Sequence, residues 1–96
     1  MLSTHTAISR SPAHVFCELA GEAVILSLAD GRYYGLDPVG THVWQRLEAP
    51  ATLPELRDAV AAAFEVAPEQ AEADLRRFVD DLHTRGLVNV VTPAGA

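Results

Sequence analysis

Lysine is missing from these 96 residues, and cysteine occurs once. Seven arginines against thirteen acids leave a net charge of −6. A surface of that sign is poorly suited to displacing counterions from a phosphate backbone, which argues against nucleic acid as a partner. A single cysteine permits no internal disulfide and no cysteine-rich metal site. Cys17 lies in the apolar run His14-Val15-Phe16-Cys17 and reads as a buried small hydrophobe. No local base stands ready to activate it as a nucleophile. Long apolar runs are absent too, so no segment is predicted to span a bilayer. The first twenty residues hold Arg10, Pro12, His14 and Glu18, with no apolar core of a secretion signal, so a cytoplasmic location is expected.

Catalytic patterns are missing as well. His5, His14, His42 and His83 form no close pair at zinc-ligand spacing, and they read as exposed or half-packed. Gly31, Gly35 and Gly40 are turn, strand and helix-start residues, not a loop that cradles phosphate. Asp80 and Asp81 are adjacent, so a helix points them in different directions, whereas paired-carboxylate chemistry needs convergence. No Ser-His-Asp arrangement is visible. The expectation is a binding module with no cofactor, no metal and no enzymatic activity.

What is present is pattern. The length makes one domain, and 49% apolar residues exclude disorder by composition. A domain this small should be only marginally stable. Residues 1–12 read as a loose arm, with a short extended piece at Thr6 to Ser9. His14 to Leu19 reads as a first strand, Ala20-Gly21-Glu22 as a turn, and Ala23 to Leu28 as a second strand. Asp30-Gly31 is a hairpin signal leading into a third strand, Arg32 to Leu36. A two-residue turn there would pair Leu28 with Tyr33 and Ser27 with Tyr34. Val24, Leu26, Leu28, Tyr33 and Gly35 then share one sheet face, and Ile25, Ser27, Tyr34 and Leu36 share the other. Both faces carry apolar groups. Helices can cover only one fully, which leaves apolar and aromatic surface for a partner.

Three helices follow. Asp37 is a good N-cap and Pro38 fits the first helical position, so a helix is predicted over 39–48, ending before Pro50. Its stripe is Val39, Val43, Trp44 and Leu47, which makes Trp44 a core residue. Thr52-Leu53-Pro54-Glu55 fits a capping box before the stripe Leu53, Leu56, Val60 and Phe64. The third helix runs from near Pro68 to near Arg85, with Gly86 as its C-terminal cap and Ala71, Leu75, Phe78, Val79 and Leu82 as its stripe. Leu87 to Val91 forms a short strand or packs back, and 92–96 reads as a flexible tail. The fold class is α+β, with a three-stranded antiparallel sheet followed by three helices in a winged helix-turn-helix-like order. The sheet would end on an open edge, which is either a liability or a peptide-binding site.

The motifs in this order carry a resemblance. They are Asp30-Gly31-Arg32-Tyr33-Tyr34-Gly35-Leu36-Asp37, Val39-Gly40-Thr41-His42-Val43-Trp44-Gln45-Arg46-Leu47, Thr52-Leu53-Pro54-Glu55-Leu56, Asp74-Leu75-Arg76-Arg77-Phe78-Val79 and Leu82-His83-Thr84-Arg85-Gly86-Leu87-Val88. Together they resemble the PqqD-like family, the precursor-peptide recognition elements of ribosomal peptide biosynthesis, over roughly residues 13–88 of a domain drawn here as 13–91. The stretch from Tyr33 to Trp44 looks most like the stand-alone leader-binding members of lasso peptide pathways. The resemblance implies that a leader peptide adds as a strand to the third strand, in the groove beside the third helix. The domain would then present the precursor to a leader peptidase, in lasso systems a cysteine protease, and a cyclase would close the ring. Ala67, a poor cap before Pro68, departs from the family pattern.

The residues expected at the leader are Arg32, Tyr33, Tyr34, Gly35 and Leu36 through their backbone and flanking side chains. On the third helix, Glu72, Arg76 and His83 lie on one flank of the stripe and Asp74, Asp81 and Arg85 on the other. The reading adopted is that the first flank meets the strand, because Leu75 and Val79 could offer an apolar pocket there; both also read as plain core, and Arg76 as a solvated charge. Of Tyr33 and Tyr34, one reads as core and the other as lining the groove. Three other readings stay open. The same domain could chaperone a peptide for a radical enzyme. A winged-helix DNA-binding regulator has a similar element order but would need a more basic recognition helix. A purely structural subunit would touch no peptide.

Overall fold

A computed structural model describes residues 5–12 and 14–91. The chain runs β1 (Ala7–Arg10), β2 (His14–Leu19), β3 (Glu22–Ser27), β4 (Tyr33–Gly35), α1 (Pro38–Arg46), β5 (Ala51–Thr52), α2 (Leu53–Phe64), α3 (Pro68–Thr84) and β6 (Val88–Val91). β2, β3 and β4 are the three strands read from the sequence, and the three helices follow them in the expected order. A second small sheet, β5-β1-β6, accompanies the sheet β2-β3-β4.

The second sheet takes up the short extended piece read at Thr6 to Ser9 and ties residues 7–10, read as part of a loose arm, to the fold. Ala7–Arg10 pairs antiparallel with β6 along its length and with β5 at Ala7 and Ile8. Ile8 is completely buried. One apolar residue among polar neighbours gives no alternation to read, yet it fills a gap between elements remote in sequence. Arg10 adds a second tie. Its guanidinium lies 4.7 Å from the Phe16 ring centroid and 4.8 Å from that of Trp44, and its Nε donates to the Trp44 carbonyl at 3.1 Å. Stacking a cation between two aromatic faces offsets part of its desolvation. Burial pulls the Arg10 pKa down, while Glu48 and Glu18 push it back up. Residues 1–4, Ala13 and the expected tail at 92–96 lie outside the described residues.

The hairpins set the faces of the main sheet. Leu19 pairs with Glu22, so Ala20 and Gly21 form a two-residue turn, with φ of 55° and 81°. Positive φ at both positions belongs to a turn whose twist matches that of the strands. The next turn is longer than the sequence reading. The Gly31 amide donates to the Ser27 carbonyl at 2.9 Å and the Arg32 amide to Asp30 Oδ1 at 3.0 Å, closing a loop over residues 28–31. Tyr33 therefore pairs with Leu26 and Tyr34 with Ile25, each two residues earlier than expected, and Leu28 leaves the sheet. A slip of two keeps every paired side chain on its original face. Val24, Leu26, Tyr33 and Gly35 still share one face, and Ile25 and Tyr34 the other.

The helices cover the Ile25 face. Trp44 is fully buried and joins Ile25, Val43, Leu47, Leu53, Leu56, Val79 and Leu82 in one core. Each such side chain contributes about 1.5–3 kcal/mol by leaving water. The caps fall where the sequence puts them. Asp37 Oδ1 accepts from the Gly40 amide at 2.7 Å, and Thr52 with Glu55 forms a reciprocal capping box. Gly86, at φ 75°, ends α3, and the Leu87 amide donates back to the Leu82 carbonyl at 2.9 Å. Ala67 makes no side-chain cap.

Thr41 joins sheet to helix. Its buried hydroxyl accepts from the Ala23 amide at 2.8 Å and donates to the Leu36 carbonyl at 3.4 Å. Thr41→Val keeps the shape but strands a buried amide, so unfolding in urea should show a loss of about 1–3 kcal/mol. Ala20 sits in the left-handed region, where a β-carbon costs about 1–2 kcal/mol and Asn is better tolerated. Ala20→Asn should therefore raise the urea midpoint.

Candidate functional site

Among the described residues, β4 is hydrogen-bonded to β3 alone, so its other edge is open. The register fixes which backbone groups face outward. The Ser27 amide donates to the Arg32 carbonyl at 2.9 Å, and the Leu36 amide donates to the Ala23 carbonyl at 2.8 Å. Hydrogen-bonded pairs alternate along an antiparallel ladder. Arg32, Tyr34 and Leu36 therefore turn their backbone groups toward β3. Tyr33 and Gly35 turn theirs toward the open edge.

Across that edge stands α3. A trough of about 440 Å³ lies between Tyr33, Tyr34 and Gly35 on one wall and Phe78, Asp81, Leu82 and Arg85 on the other. Beyond Asp37 it meets a mostly apolar cavity of about 270 Å³ lined by Val39, Val43, Val60, Val66, Leu75 and Phe78, with Asp74 and Arg77 also at its walls. Phe78 and Asp37 belong to both, so the two form one groove. Gly40 lets the ring in. A β-carbon there would stand 3.2 Å from Phe78 and 3.1 Å from Asp37 Oδ1.

Charge crosses the trough in a short relay. The Tyr34 hydroxyl donates to Asp30 Oδ2 at 3.2 Å, the Arg85 guanidinium lies 4.8 Å from the Tyr34 ring centroid, and Arg85 Nε donates to Asp81 Oδ1 at 3.1 Å. The Asp81 hydrogen bond, then that to Tyr34, raise the Arg85 pKa above its ordinary value. The Arg32 amide holds the Asp30 carboxyl below the usual range, aided by Ser27 and Tyr34 and partly opposed by desolvation. Asp74 is lowered by hydrogen bonds from Gln70 and Arg77.

The flank of α3 at this groove is the one not chosen from the sequence. Asp74, Asp81 and Arg85 meet it, together with Phe78. Glu72 instead accepts from Arg57 of α2 at 3.4 Å and lies 3.7 Å from Arg76, so Glu72 and Arg76 face the α2 side. His83 shares their flank by helical spacing and is exposed. Val79 is wholly core, whereas Leu75 is buried and lines the apolar cavity. The reason is packing. α2 must bury its Leu53, Leu56 and Val60 stripe, and seating it on one side of α3 leaves the Phe78 side for the sheet. The one available signal was the pairing of an aromatic at the stripe's edge with a glycine in α1.

Of Arg32 to Leu36, all expected to offer their backbone to the leader, only Tyr33 and Gly35 turn it to the open edge; Arg32, Tyr34 and Leu36 turn theirs to β3, with Leu36 buried and Tyr34 packed on the core. Tyr33 is 72% exposed. Cys17 is exposed, correcting the expectation of burial, because β2 turns it onto the uncovered face of the sheet. His42 is half-buried against Phe64, and His14 packs edge-on against Trp44. Among the described residues, no group of three or more His, Cys, Asp or Glu could hold a metal ion. No helix there is long and apolar enough to cross a membrane.

Acid should loosen this wall. A carboxyl whose folded pKa is depressed stabilises the fold above the ordinary Asp value and loses that contribution as pH falls through the folded pKa. Thermal unfolding followed from about pH 5 to pH 2.5 should show a steeper loss for the native chain than for Asp30→Asn. Parallel curves would mean that the turn is indifferent to the charge on Asp30.

Comparison with known proteins sharpens the picture. A family model described as coenzyme PQQ synthesis protein D (PqqD) matches residues 22–88. A solved structure described as TbiB1 in complex with the TbiA(beta) leader peptide shares 36% identity, covering 84% of this chain and 94% of that one, with a TM-score of 0.79. A second, a lasso peptide synthetase B1 complexed with the leader peptide, has the same fold at 20% identity, covering 85% of this chain and 96% of that one, with a TM-score of 0.75. Comparison with curated proteins returned no match. With the family model spanning most of β3 through β6 and a relative of the same fold over nearly its whole length, this chain belongs to the PqqD family.

Proposed function

We propose that this domain binds the leader segment of a ribosomally made precursor peptide of a lasso pathway, as a strand added to β4. The observation that carries this reading is the open edge of β4, with Tyr33 and Gly35 presenting backbone groups into a trough walled by α3. Strand addition takes affinity from main-chain bonds and selectivity from pockets for alternate side chains. Tyr34, Phe78 and Arg85 would sort the leader side chains that point into the trough, and the cavity beyond Asp37 would take an apolar one. The TbiB1 structure, 36% identical, was solved with a leader peptide, which supports the same role here.

In this reading the domain makes no bond itself. It hands the precursor to a leader peptidase, of the cysteine protease type, and a cyclase closes the ring afterwards. The cytoplasm, where ribosomes release precursors, is where the exchange would take place. The family model's own description favours a second reading, in which the same groove serves a peptide of cofactor synthesis alongside a radical enzyme. The leader peptide in the TbiB1 structure, 36% identical, and the shared fold of a lasso peptide synthetase B1 solved with its leader together support the lasso reading.

Titration of a fluorescent leader, encoded beside this chain, should give saturable polarisation in the nanomolar to micromolar range. A scrambled peptide and a DNA duplex should give none. Gly35→Pro removes an outward donor without touching the β3 ladder, so leader affinity should fall by about tenfold or more. Nothing lies within 4 Å of a β-carbon at Gly35, so Gly35→Ala should bind within about twofold of the native chain. A Gly35→Pro variant with native circular dichroism and native affinity would sink strand addition at this edge. Binding of the duplex instead would point to a DNA regulator.

A further inference from the structure

The β2-β3-β4 sheet has a second open edge. Among the described residues, β2 is hydrogen-bonded to β3 alone, and every residue of it after His14 is exposed. The register decides what this edge offers. Ala23, Ile25 and Ser27 of β3 turn their backbone groups toward β4, so Glu22, Val24 and Leu26 turn theirs to Leu19, Cys17 and Val15 of β2. His14, Phe16 and Glu18 therefore point their amides and carbonyls outward. β2 is six residues long against three for β4, and no proline, lysine or bulge guards it. Natural sheets protect such edges unless a partner covers them. Phe16 is 39% exposed although it lies on the inner face, because nothing of this chain sits beyond it.

We propose that the β2 edge is covered by a second copy of this chain. The two β2 strands pair antiparallel about a two-fold axis at Phe16, and the two sheets join into one of six strands. Three observations select this occupant. The first is that the strand is its own complement. With Phe16 opposite Phe16 of the second copy, outward residues meet outward residues, and Val15 meets Cys17. His14 then faces Glu18 of the second copy on both sides of the axis, so the strand's one basic residue meets its one acid, a favourable cross-strand pair. Moving the axis to Val15 or Cys17 separates them. The second is room. α1 packs on β3, where Thr41 takes the Ala23 amide, so it lies one strand in from the edge. Three strand spacings, about 14 Å, then separate the two α1 helices, more than the roughly 8–10 Å of helices in contact. The third is the lack of the α3 wall. That wall gives the β4 edge its pockets, and β2 lies at the opposite edge of the sheet. A foreign peptide at β2 would gain backbone bonds without the α3 pockets that sort side chains, whereas a strand that complements itself needs none. The net charge of −6 on each copy opposes pairing weakly, because it is screened within about 8 Å at physiological salt. At the edge itself, Arg10 stacked on Phe16 balances Glu18. The joined sheet sets the two β4 edges about 24 Å apart at its far ends. On the leader-binding reading, one dimer thus holds two leaders at once.

The test uses the full chain without leader. Sedimentation should show mass rising toward the dimer, with half the chains paired at roughly tens to hundreds of micromolar, as a handful of backbone bonds allows. Glu18→Pro removes one outward amide from each copy and spares the β3 ladder, so self-association should weaken by about tenfold or more. Glu18→Arg sets a cation against His14 and should weaken pairing by about threefold, and adding His14→Glu should restore most of the loss. All three should keep native circular dichroism and bind labelled leader within about twofold of the native chain, since β2 lies two strands from β4. Cys17, the one thiol of this chain, reports the register. The two Cys17 residues lie on a diagonal about 7–8 Å apart, too far for a disulfide and within reach of a short bismaleimide, which should link native chains and not Glu18→Pro. A chain that stays monomeric to about 1 mM would overturn the proposal and leave the edge to another protein's strand. Native self-association in folded Glu18→Pro would overturn it too. So would a dimer that only Gly35→Pro dissolves, since the contact would then lie at β4, or a Cys17 disulfide that forms as readily as the bismaleimide link, since the register would differ. A native chain that binds no leader would instead refute the leader reading and leave the dimer standing, so the two failures are told apart.

Discussion

The buried hydroxyl of Thr41 holds three segments together at the point where sheet becomes helix. It takes the Ala23 amide of β3 and gives its proton to the Leu36 carbonyl, just past β4. Two backbone groups that would otherwise be buried without partners are satisfied at once. The Leu36 amide returns to Ala23, and Asp37 then caps α1. The chain therefore leaves the sheet abruptly. β4 stops after three residues, and α1 packs on the inner face instead of continuing along the edge. That sharp exit keeps the edge of β4 open and brings Phe78 of α3 up against Gly40.

The groove inherits its character from this junction. Its outer end is polar, with Arg85 above the Tyr34 ring and paired with the carboxylate of Asp81. Its inner end, beyond Asp37, is apolar. A single extended segment lying along it passes from one environment to the other within a few residues. This gradient favours a peptide with an apolar anchor at one end, independent of what the rest of its sequence encodes.

Much of this was legible. The Asp37-Pro38 start of α1, the Thr52–Glu55 capping box and the Gly86 stop are local signals, set by chemistry within four residues, and each sits where it was read. Trp44 was legible as core from its stripe. The faces of the hairpin survived a wrong turn length because the error was even. Non-local features were not legible. Ile8 and the two-residue β5 gain their roles only from partners more than 40 residues away, as the pairing of Ile8 with Ala51 and Val90 shows. The flank of α3 depends on where α2 docks, which helical periodicity alone cannot state. Cys17 failed for a simpler reason: an apolar run on an edge strand looks the same whether one face is covered or both.

The brevity of β4 has a kinetic meaning. Two outward residues, Tyr33 and Gly35, offer at most two donors and two acceptors to an added strand. At about 0.5–1.5 kcal/mol net for each bond, four bonds give about 2–6 kcal/mol, so the ladder alone holds no more tightly than a contact of tens of micromolar. Longer residence must come from the trough and cavity, which depend on side chains. An occupant trimmed of its anchoring side chains would leave quickly, and the site would clear for the next chain. A three-residue edge thus sets a ceiling on dwell time, and a carrier that must release its cargo repeatedly is better served by that ceiling than by a longer, stickier strand.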